Sequence, residues 1–286
     1  MSFCTKLSHS QPESRPNSSD RRRIWWCPTG PLSFLPLHAA GIYGSAYEAG
    51  QCVSDFVVSS YTPTVGSLNE KFSASTTTSK CTNLILISQP NTPGLSSIPW
   101  TQKEAHNLKE LMNQSVVDVL LLEDAEATIE NVRTEMRGRN WVHFACHGIQ
   151  DMDEPLKSGV HLHDGRLELL EIMRQKISNA DLAFLSACQT SKGDPKLSEE
   201  VVHLSAGMLA AGYRGVVGTM WSISDIHGPE FATEFYQYLF RENGLEGLDS
   251  SQAAYALDHA TRKVRESLGE DDIALLTWVP YVHFGY

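Results

Sequence analysis

The chain has 286 residues, of which 41% are hydrophobic and 20% are charged, and its formal net charge is −11. This length suits one large domain or two small ones, and the composition is that of an ordinary globular protein. These values exclude a disordered chain. The sequence has no apolar run of roughly 18 residues, which argues against a membrane protein. Its net negative charge argues against a nucleic-acid partner.

The N-terminal part of the chain is predicted to be irregular. Residues 1–23 form a predicted disordered tail because they are rich in Ser, Pro, Asn and charge, which places the folded domain at 24–286. Short apolar runs lie at 24–27 and 56–58, and the segment 31–41 is predicted to be a loop. The polar residues 66–82 are predicted to be a helix start followed by a loose linker.

From Leu84 onward, strand and helix patterns alternate. Strands are predicted at 84–87, 116–122, 141–146, 182–187 and 215–221, with a last extended segment at 278–284. Helices are predicted at 102–113, 127–137, 167–177, 201–211, 231–240 and 253–268, and Gly212 suits the cap of the helix that ends at 211. The alternation predicts an α/β fold, a three-layer α/β/α sandwich with a central, mostly parallel sheet.

The cysteines give a further expectation about compartment and metal content. The six cysteines form no C-x-x-C pair and show no regular spacing, and several lie in apolar runs where a free thiol packs as a small hydrophobe. Disulfides and a structural zinc site are therefore not expected. The N-terminus lacks the apolar core of a secretory signal, so we expect a cytoplasmic protein.

Two reactive side chains follow predicted strands. His147 ends one strand and Cys188 ends the next, and functional groups of open α/β sheets gather outside the carboxyl ends of their strands. A cysteine nucleophile needs a base such as imidazole, and the oxyanion formed on attack needs donors, for which the backbone N–H groups of Gly148 and Cys188 are candidates. By position alone, a surface or capping histidine and an inert buried cysteine are the more common explanation of the pattern.

The residues around both side chains resemble a known family. VHFACHG at 142–148 and LSACQTS at 185–191 strongly resemble motifs of the CHAT family of caspase-like peptidases, and similar segments follow the family's order at 32–41, 57–68, 206–225 and 278–285. The resemblance covers residues 24–286. It implies a caspase-like fold, a His147/Cys188 dyad, and peptide-bond cleavage through a thioester without metal or organic cofactor.

The same resemblance implies a substrate pocket. In related separase-like sequences a tryptophan-containing strand leads to an acidic residue in the S1 pocket, and MWSISD at 220–225 is similar to that element. Trp221 and Asp225 are therefore predicted to line S1, with Asp225 binding a P1 Arg or Lys. The alternative role for Asp225 is a helix N-cap before Gly228 and Pro229.

Other polar residues are assigned weaker roles. His143 is expected to pack or to orient its surroundings. Asp151, Asp153 and Glu154 are considered as residues that orient His147, although a solvated loop explains their charge better. His161 and His163, with Asp164, lie in a polar turn, where a solvated loop is favoured over a metal site.

Three functions stay open at this point. The leading one is an endopeptidase that acts on a protein or peptide substrate, is latent until activated, and answers to an activating protein partner. The second is a catalytically silent caspase-like scaffold, and the third is a cysteine hydrolase or acyltransferase with a non-peptide substrate. The presence of His147, Gly148 and Cys188 together favours the enzyme.

Overall fold

A single mixed β-sheet organises the chain. The computed structural model describes residues 21–43, 50–66, 82–113, 115–149, 151, 153–175, 177, 179–189, 201–243, 247–268 and 272–286. Its strands are β1 (Arg22–Trp26), β2 (Val57–Tyr61), β3 (Asn83–Ser88), β4 (Asp118–Glu123), β5 (Trp141–Ile149), β6 (Gly159–Leu162), β7 (Gly165–Glu168), β8 (Leu182–Gln189), β9 (Gly215–Thr219) and β10 (Tyr281–Gly285).

The strands run in the order β1-β2-β10-β9-β8-β5-β3-β4, with the β6–β7 hairpin attached to β5. Neighbours from β9 to β4 are parallel, as are β1, β2 and β10, and only β10 and β9 meet antiparallel along this path. The mostly parallel sheet expected from the sequence is therefore confirmed.

Helices cover both faces of the sheet. They are α1 (Val53–Phe56), α2 (Trp100–Met112), α3 (Ile129–Gly138), α4 (Leu169–Gln175), α5 (Val201–Ala211), α6 (Gly228–Asn243), α7 (Ala253–Leu268) and α8 (Asp272–Trp278). One core joins α2, α6 and α7 to one face, and a second core joins α3, α4 and α5 to the other. The predicted three-layer α/β/α arrangement is thus present.

The apolar sequence of the central strands explains why both faces are covered. In β3, Leu84 and Leu86 enter the core under α2, α6 and α7, whereas Ile85 and Ile87 enter the opposite core. All four side chains are fully buried. Strands of a parallel sheet need apolar residues on both faces, since a helical layer lies against each.

Local signals set several helix ends. Thr128 precedes α3, and its hydroxyl accepts a hydrogen bond from the backbone N–H of Asn131 at 3.3 Å. Gly212 follows α5 with a φ of +119°, a conformation that favours glycine. The predicted cap at Gly212 is confirmed.

Several predicted boundaries were wrong, and three of these differences have a clear physical cause. Residues 165–168 pair antiparallel with β6, which buries Leu167 beside Val160, so the predicted helix at 167–177 begins only at Leu169. Strand β5 continues through His147 to Ile149 because β6 and β8 both pair with its end. The predicted tail reaches Arg23, yet β1 begins at Arg22, where it pairs with β2.

Arg21 anchors the chain immediately before β1. Its side chain is buried and forms an ion pair with Asp258 of α7, which fixes the chain just before β1. Residues 1–20 and most of the predicted linker, 67–81, lie outside the described residues. No helix in the described part of the chain combines the length and apolarity that a bilayer crossing requires.

Candidate active site

The carboxyl ends of neighbouring strands gather the candidate residues at one edge of the sheet. Strands β5 and β8 are parallel, and their register pairs His147 with Cys188 and Gly148 with Gln189. Adjacent strands of a sheet lie about 4.8 Å apart, and paired positions share a face. The structure therefore brings the two predicted dyad positions side by side, as the sequence predicted for the strand ends.

The imidazole of His147 is held in one tautomer. The side chain is only 1% exposed, and its Nε2 lies 2.8 Å from the carbonyl oxygen of Ser96. A carbonyl oxygen can only accept, so Nε2 carries the proton and Nδ1 carries the lone pair. Nδ1 is buried and has no hydrogen-bond partner among the described residues. His147 thus presents a free basic nitrogen.

Cys188 lies at the end of β8, one residue before the strand stops. Its backbone is part of the ladder with β5, whereas its side chain lies outside the described residues. The cysteine position is therefore fixed by backbone register.

Gly148 is the predicted oxyanion donor that follows His147. Its backbone is flanked on both sides, since it pairs with Val160 of β6 and with Gln189 of β8. The residue is buried in this three-strand section. A glycine here keeps the sheet edge free of a side chain next to His147.

The predicted S1 residues lie on the segment that leaves β9, the strand beside β8. Asp225 begins a short 3₁₀ turn, Asp225–His227, and its Oδ2 accepts a hydrogen bond from the backbone N–H of Trp100 at 3.2 Å. The carboxylate therefore caps the first residue of α2.

Trp221 packs partly buried against the core that includes Phe231. Its indole Nε1 is buried without a hydrogen-bond partner in the described structure. An indole N–H can only donate, so this position still has a donor to offer.

A buried polar cluster beneath the dyad was missed from the sequence. His143, which precedes His147 on the same face of β5, has its Nε2 2.8 Å from Glu104 Oε1, and Ser186 of β8 donates its hydroxyl to Glu104 Oε2 at 3.0 Å. His143 Nδ1 lies 3.3 Å from the hydroxyl of Tyr236. The signal was present, since Glu104 falls on the apolar stripe of α2 next to Ala105 and Leu108, where an acid needs a partner.

Glu104 affects the chemistry of its neighbour Tyr236. Burial, and then the negative charge of Glu104, raise the pKa of Tyr236. The phenol stays protonated and donates to His143 Nδ1, while His143 Nε2–H donates to Glu104.

The remaining polar candidates, Asp151, His161 and Asp164, lie in the loops and hairpin after β5, where both aspartates bind backbone N–H groups. Asp164 Oδ1 accepts the backbone N–H of Ile129 at the start of α3, and Asp151 Oδ1 accepts the backbone N–H of Glu154. The second carboxylate oxygen of Asp151, Oδ2, forms an ion pair with Arg166 at 3.9 Å. Burial, followed by the charges of Arg166 and His147, lowers the pKa of His161. Within the ranges that the structure describes, no three His, Cys, Asp or Glu side chains group as a metal site.

The chain matches one protein family over nearly its whole length. The family model of the CHAT domain covers residues 7–286. No curated protein matches the chain.

Several solved structures align with this chain. The separase–securin complex of Saccharomyces cerevisiae aligns with a TM-score of 0.54 and 14% identity, over 82% of this chain and 14% of that chain. The Arg-specific cysteine proteinase gingipain R (RGPB) gives 0.44 and 14%, over 71% and 46%. The complex of Porphyromonas gingivalis RgpB pro- and mature domains gives 0.45 and 14%, over 71% and 47%.

The chain thus spans less than half of each of these structures' chains. At this identity the likeness concerns the fold alone. The separase alignment, with the sheet and helix layers described above, confirms the predicted caspase-like α/β/α fold.

Proposed function

This chain belongs to the CHAT domain family, and from that membership we propose that it is a cysteine endopeptidase with His147 and Cys188 as its catalytic dyad. The observation that carries the proposal is the register of β5 and β8, which pairs these two residues at the carboxyl edge of the sheet. The fold is that of cysteine peptidases, which agrees with this kind of chemistry.

The state of His147 supports its role as the base. Its Nε2 proton is committed to the Ser96 carbonyl, so the lone pair of Nδ1 is the one that can receive the thiol proton of Cys188. An imidazole can take up a proton near neutral pH, and the thiolate left behind is the reactive form of cysteine.

The reaction then follows in two stages. The Cys188 thiolate attacks the scissile carbonyl carbon, and the C–N bond breaks as the imidazolium of His147 gives its proton to the leaving amine. This leaves a thioester on Cys188. A water molecule, deprotonated by His147, attacks the thioester, and the acid product leaves as Cys188 recovers its proton.

Both stages pass through an oxyanion that needs hydrogen-bond donors. We assign this role to the backbone N–H groups of Gly148 and Cys188, which lie on the paired ends of β5 and β8. Removing one such donor typically costs a factor of about 100 or more in rate.

For the substrate, we propose Arg or Lys at P1, bound by Asp225 in a pocket that Trp221 helps to form. Asp225 lies on the segment that follows β9, and β9 is the neighbour of β8, so the carboxylate emerges at the same sheet edge as the dyad. One of its oxygens accepts the Trp100 N–H. The other oxygen would receive the cation, and a guanidinium suits a carboxylate in a sheltered position.

Control of the activity is assigned to a protein partner. The aligned separase structure contains securin. By analogy, we propose that the peptidase is latent toward its protein substrate and that binding or release of a separate protein permits turnover, while Cys188 stays open to a small peptidyl probe.

A covalent probe tests the proposal directly. The full chain would be treated with a peptidyl electrophile bearing Arg at P1, and the adduct would be located by peptide mass spectrometry. Labelling of Cys188 that is lost in His147→Ala is expected. A catalytically silent scaffold would remain unlabelled at Cys188 under the same conditions.

A further inference from the structure

We infer that Glu104 is a positioning residue that fixes the relative placement of the two strands carrying the dyad. This inference rests on the proposed function. Its carboxylate is 1% exposed and joins both strands, through His143 on β5 and Ser186 on β8. One side chain of α2 therefore contacts the supports of both reactive residues.

The spacing along the strands makes this contact relevant to the dyad. The strand register places Ala145 opposite Ser186, directly before the pair of His147 and Cys188 on the same face. A hydrogen bond to a charged group is stronger than one between neutral groups. Two such bonds to one buried carboxylate resist sliding of β5 relative to β8, and a shift of about 1 Å at a catalytic pair costs roughly a hundredfold in rate.

The surroundings leave Glu104 little freedom to move. His143 is stacked on Phe184 with ring centroids 4.7 Å apart, and its Nδ1 is bonded to Tyr236. On the other side, a Cβ atom built on Gly228 would lie 2.5 Å from Glu104 Oε2. The backbone at the start of α6 thus closes over the carboxylate, and a larger residue at 228 would push the Glu104 carboxylate aside.

Helix α2 also links this cluster to the proposed S1 residue. Trp100 begins the helix and donates its backbone N–H to Asp225, and Glu104 lies one helical turn further along. A change in α2 would therefore reach the S1 segment and the dyad strands together. This places Glu104 at the junction of substrate recognition and nucleophile activation, without contact to the substrate.

The test is the pH dependence of Cys188 alkylation by iodoacetamide in the full chain, followed on the Cys188 peptide by mass spectrometry. A free thiol reacts with a midpoint near pH 8.5, whereas a thiolate held by His147 reacts at lower pH. Wild type would be compared with His147→Ala, Glu104→Ala, Ser186→Ala and Glu104→Gln. This readout needs no peptide substrate.

We expect Glu104→Ala and Ser186→Ala to slow Cys188 alkylation at pH 6.5 by about tenfold, with the midpoint moved toward that of His147→Ala. Glu104→Gln should retain most of the wild-type rate, because its amide oxygen accepts from Ser186 and its NH2 donates to His143 Nε2 once the imidazole takes the other tautomer, with Nδ1–H then donating to the Tyr236 hydroxyl oxygen. The matched control is Val264→Ala, which creates a cavity in the same core on α7 and should lower the melting temperature without moving the midpoint.

The outcomes separate the two proposals. Suppose that His147→Ala raises the pH midpoint of Cys188 alkylation, while Glu104→Ala, like Val264→Ala, leaves that midpoint unchanged. This result would overturn the positioning role of Glu104 and leave the dyad standing. Glu104→Gln as impaired as Glu104→Ala would also overturn it, since the hydrogen-bond geometry would then not be what matters. A wild-type midpoint that is unchanged in His147→Ala would overturn the dyad, and the role of Glu104 with it.

Discussion

The carboxylate of Asp225 accepts a hydrogen bond from the backbone N–H of Trp100, with 3.2 Å between Oδ2 and N. This contact joins the segment that leaves β9 to the first residue of α2. The same side chain is the proposed partner of a P1 cation, so a capping role and a substrate role meet in one carboxylate. Two substitutions separate them.

Asp225→Asn should keep the cap and lose the charge. The amide oxygen can still accept from Trp100, so the melting temperature is expected to stay close to wild type. The kcat/KM for substrates with Arg at P1 should fall by at least about tenfold, because a neutral amide replaces the carboxylate that pairs with the guanidinium.

Asp225→Ala is the matched comparison, since it removes both the cap and the charge. It should lose about 1 kcal/mol in the free energy of unfolding, measured by urea titration. If Asp225→Asn cleaves Arg substrates as well as wild type does, Asp225 is a cap and nothing more.

Gly228→Ala should destabilise the fold. The new Cβ would meet Glu104 Oε2 at 2.5 Å and Ser186 Oγ at 3.4 Å, in a fully packed site. Overpacking of this kind costs about 1–3 kcal/mol, which exceeds the gain of under about 1 kcal/mol from the better helix propensity of alanine. Denaturant unfolding measures the difference.

Gly138→Ala provides the control for Gly228→Ala. Gly138 is the last residue of α3, and a Cβ there meets nothing within 4 Å. This variant should be as stable as wild type or slightly more stable. Equal stabilities for the two variants would show that the approach of Gly228 to Glu104 is not tight.

Mild acid should destabilise the chain through two histidines held neutral. Burial lowers the pKa of His38 to about 4. Burial, and then the charge of Arg23, lower the pKa of His283 well below 6.5. The unfolded chain binds these protons near pH 6.5 and the folded chain only at lower pH, so stability is present above pH 6.5 and is lost as the pH falls toward 4.

The expected loss is at least about 1 kcal/mol in the free energy of unfolding between pH 7 and pH 5. In His38→Gln the amide can donate to the Val279 carbonyl and accept from Tyr61, as the imidazole does, but it cannot titrate. Its stability should therefore fall less steeply over this range. The same slope in this variant and wild type would assign the acid sensitivity to other groups.

The sequence predicted which strands carry the candidate reactive residues, but it did not predict the contacts that hold those residues in place. Apolar runs such as 84–87 mark buried parallel strands, and the motifs at 142–148 and 185–191 predicted that His147 and Cys188 end neighbouring strands. The register that pairs them follows from long-range packing, which no local pattern contains.

Two hydrogen-bond partners near the candidate site, Ser96 and Glu104, could not be predicted from the sequence, for different physical reasons. Ser96 contributes a backbone carbonyl to His147, and a backbone atom leaves no residue-type signature in the sequence. Glu104 meets His143 and Ser186 only after three separate elements pack together. The hairpin of β6 and β7 was missed because its two four-residue strands are too short to show a clear alternating pattern.

The most direct test of the central claim is cleavage of a mixed library of fluorogenic peptides by wild type, Cys188→Ala and His147→Ala. The account predicts cleavage by wild type, mainly after Arg or Lys, and a loss of at least about a thousandfold in both variants. If the wild type is silent without its activator, labelling of Cys188 by the P1 Arg probe, lost in His147→Ala, is the expected substitute. Cleavage that survives in Cys188→Ala would contradict the assignment of Cys188 as the nucleophile.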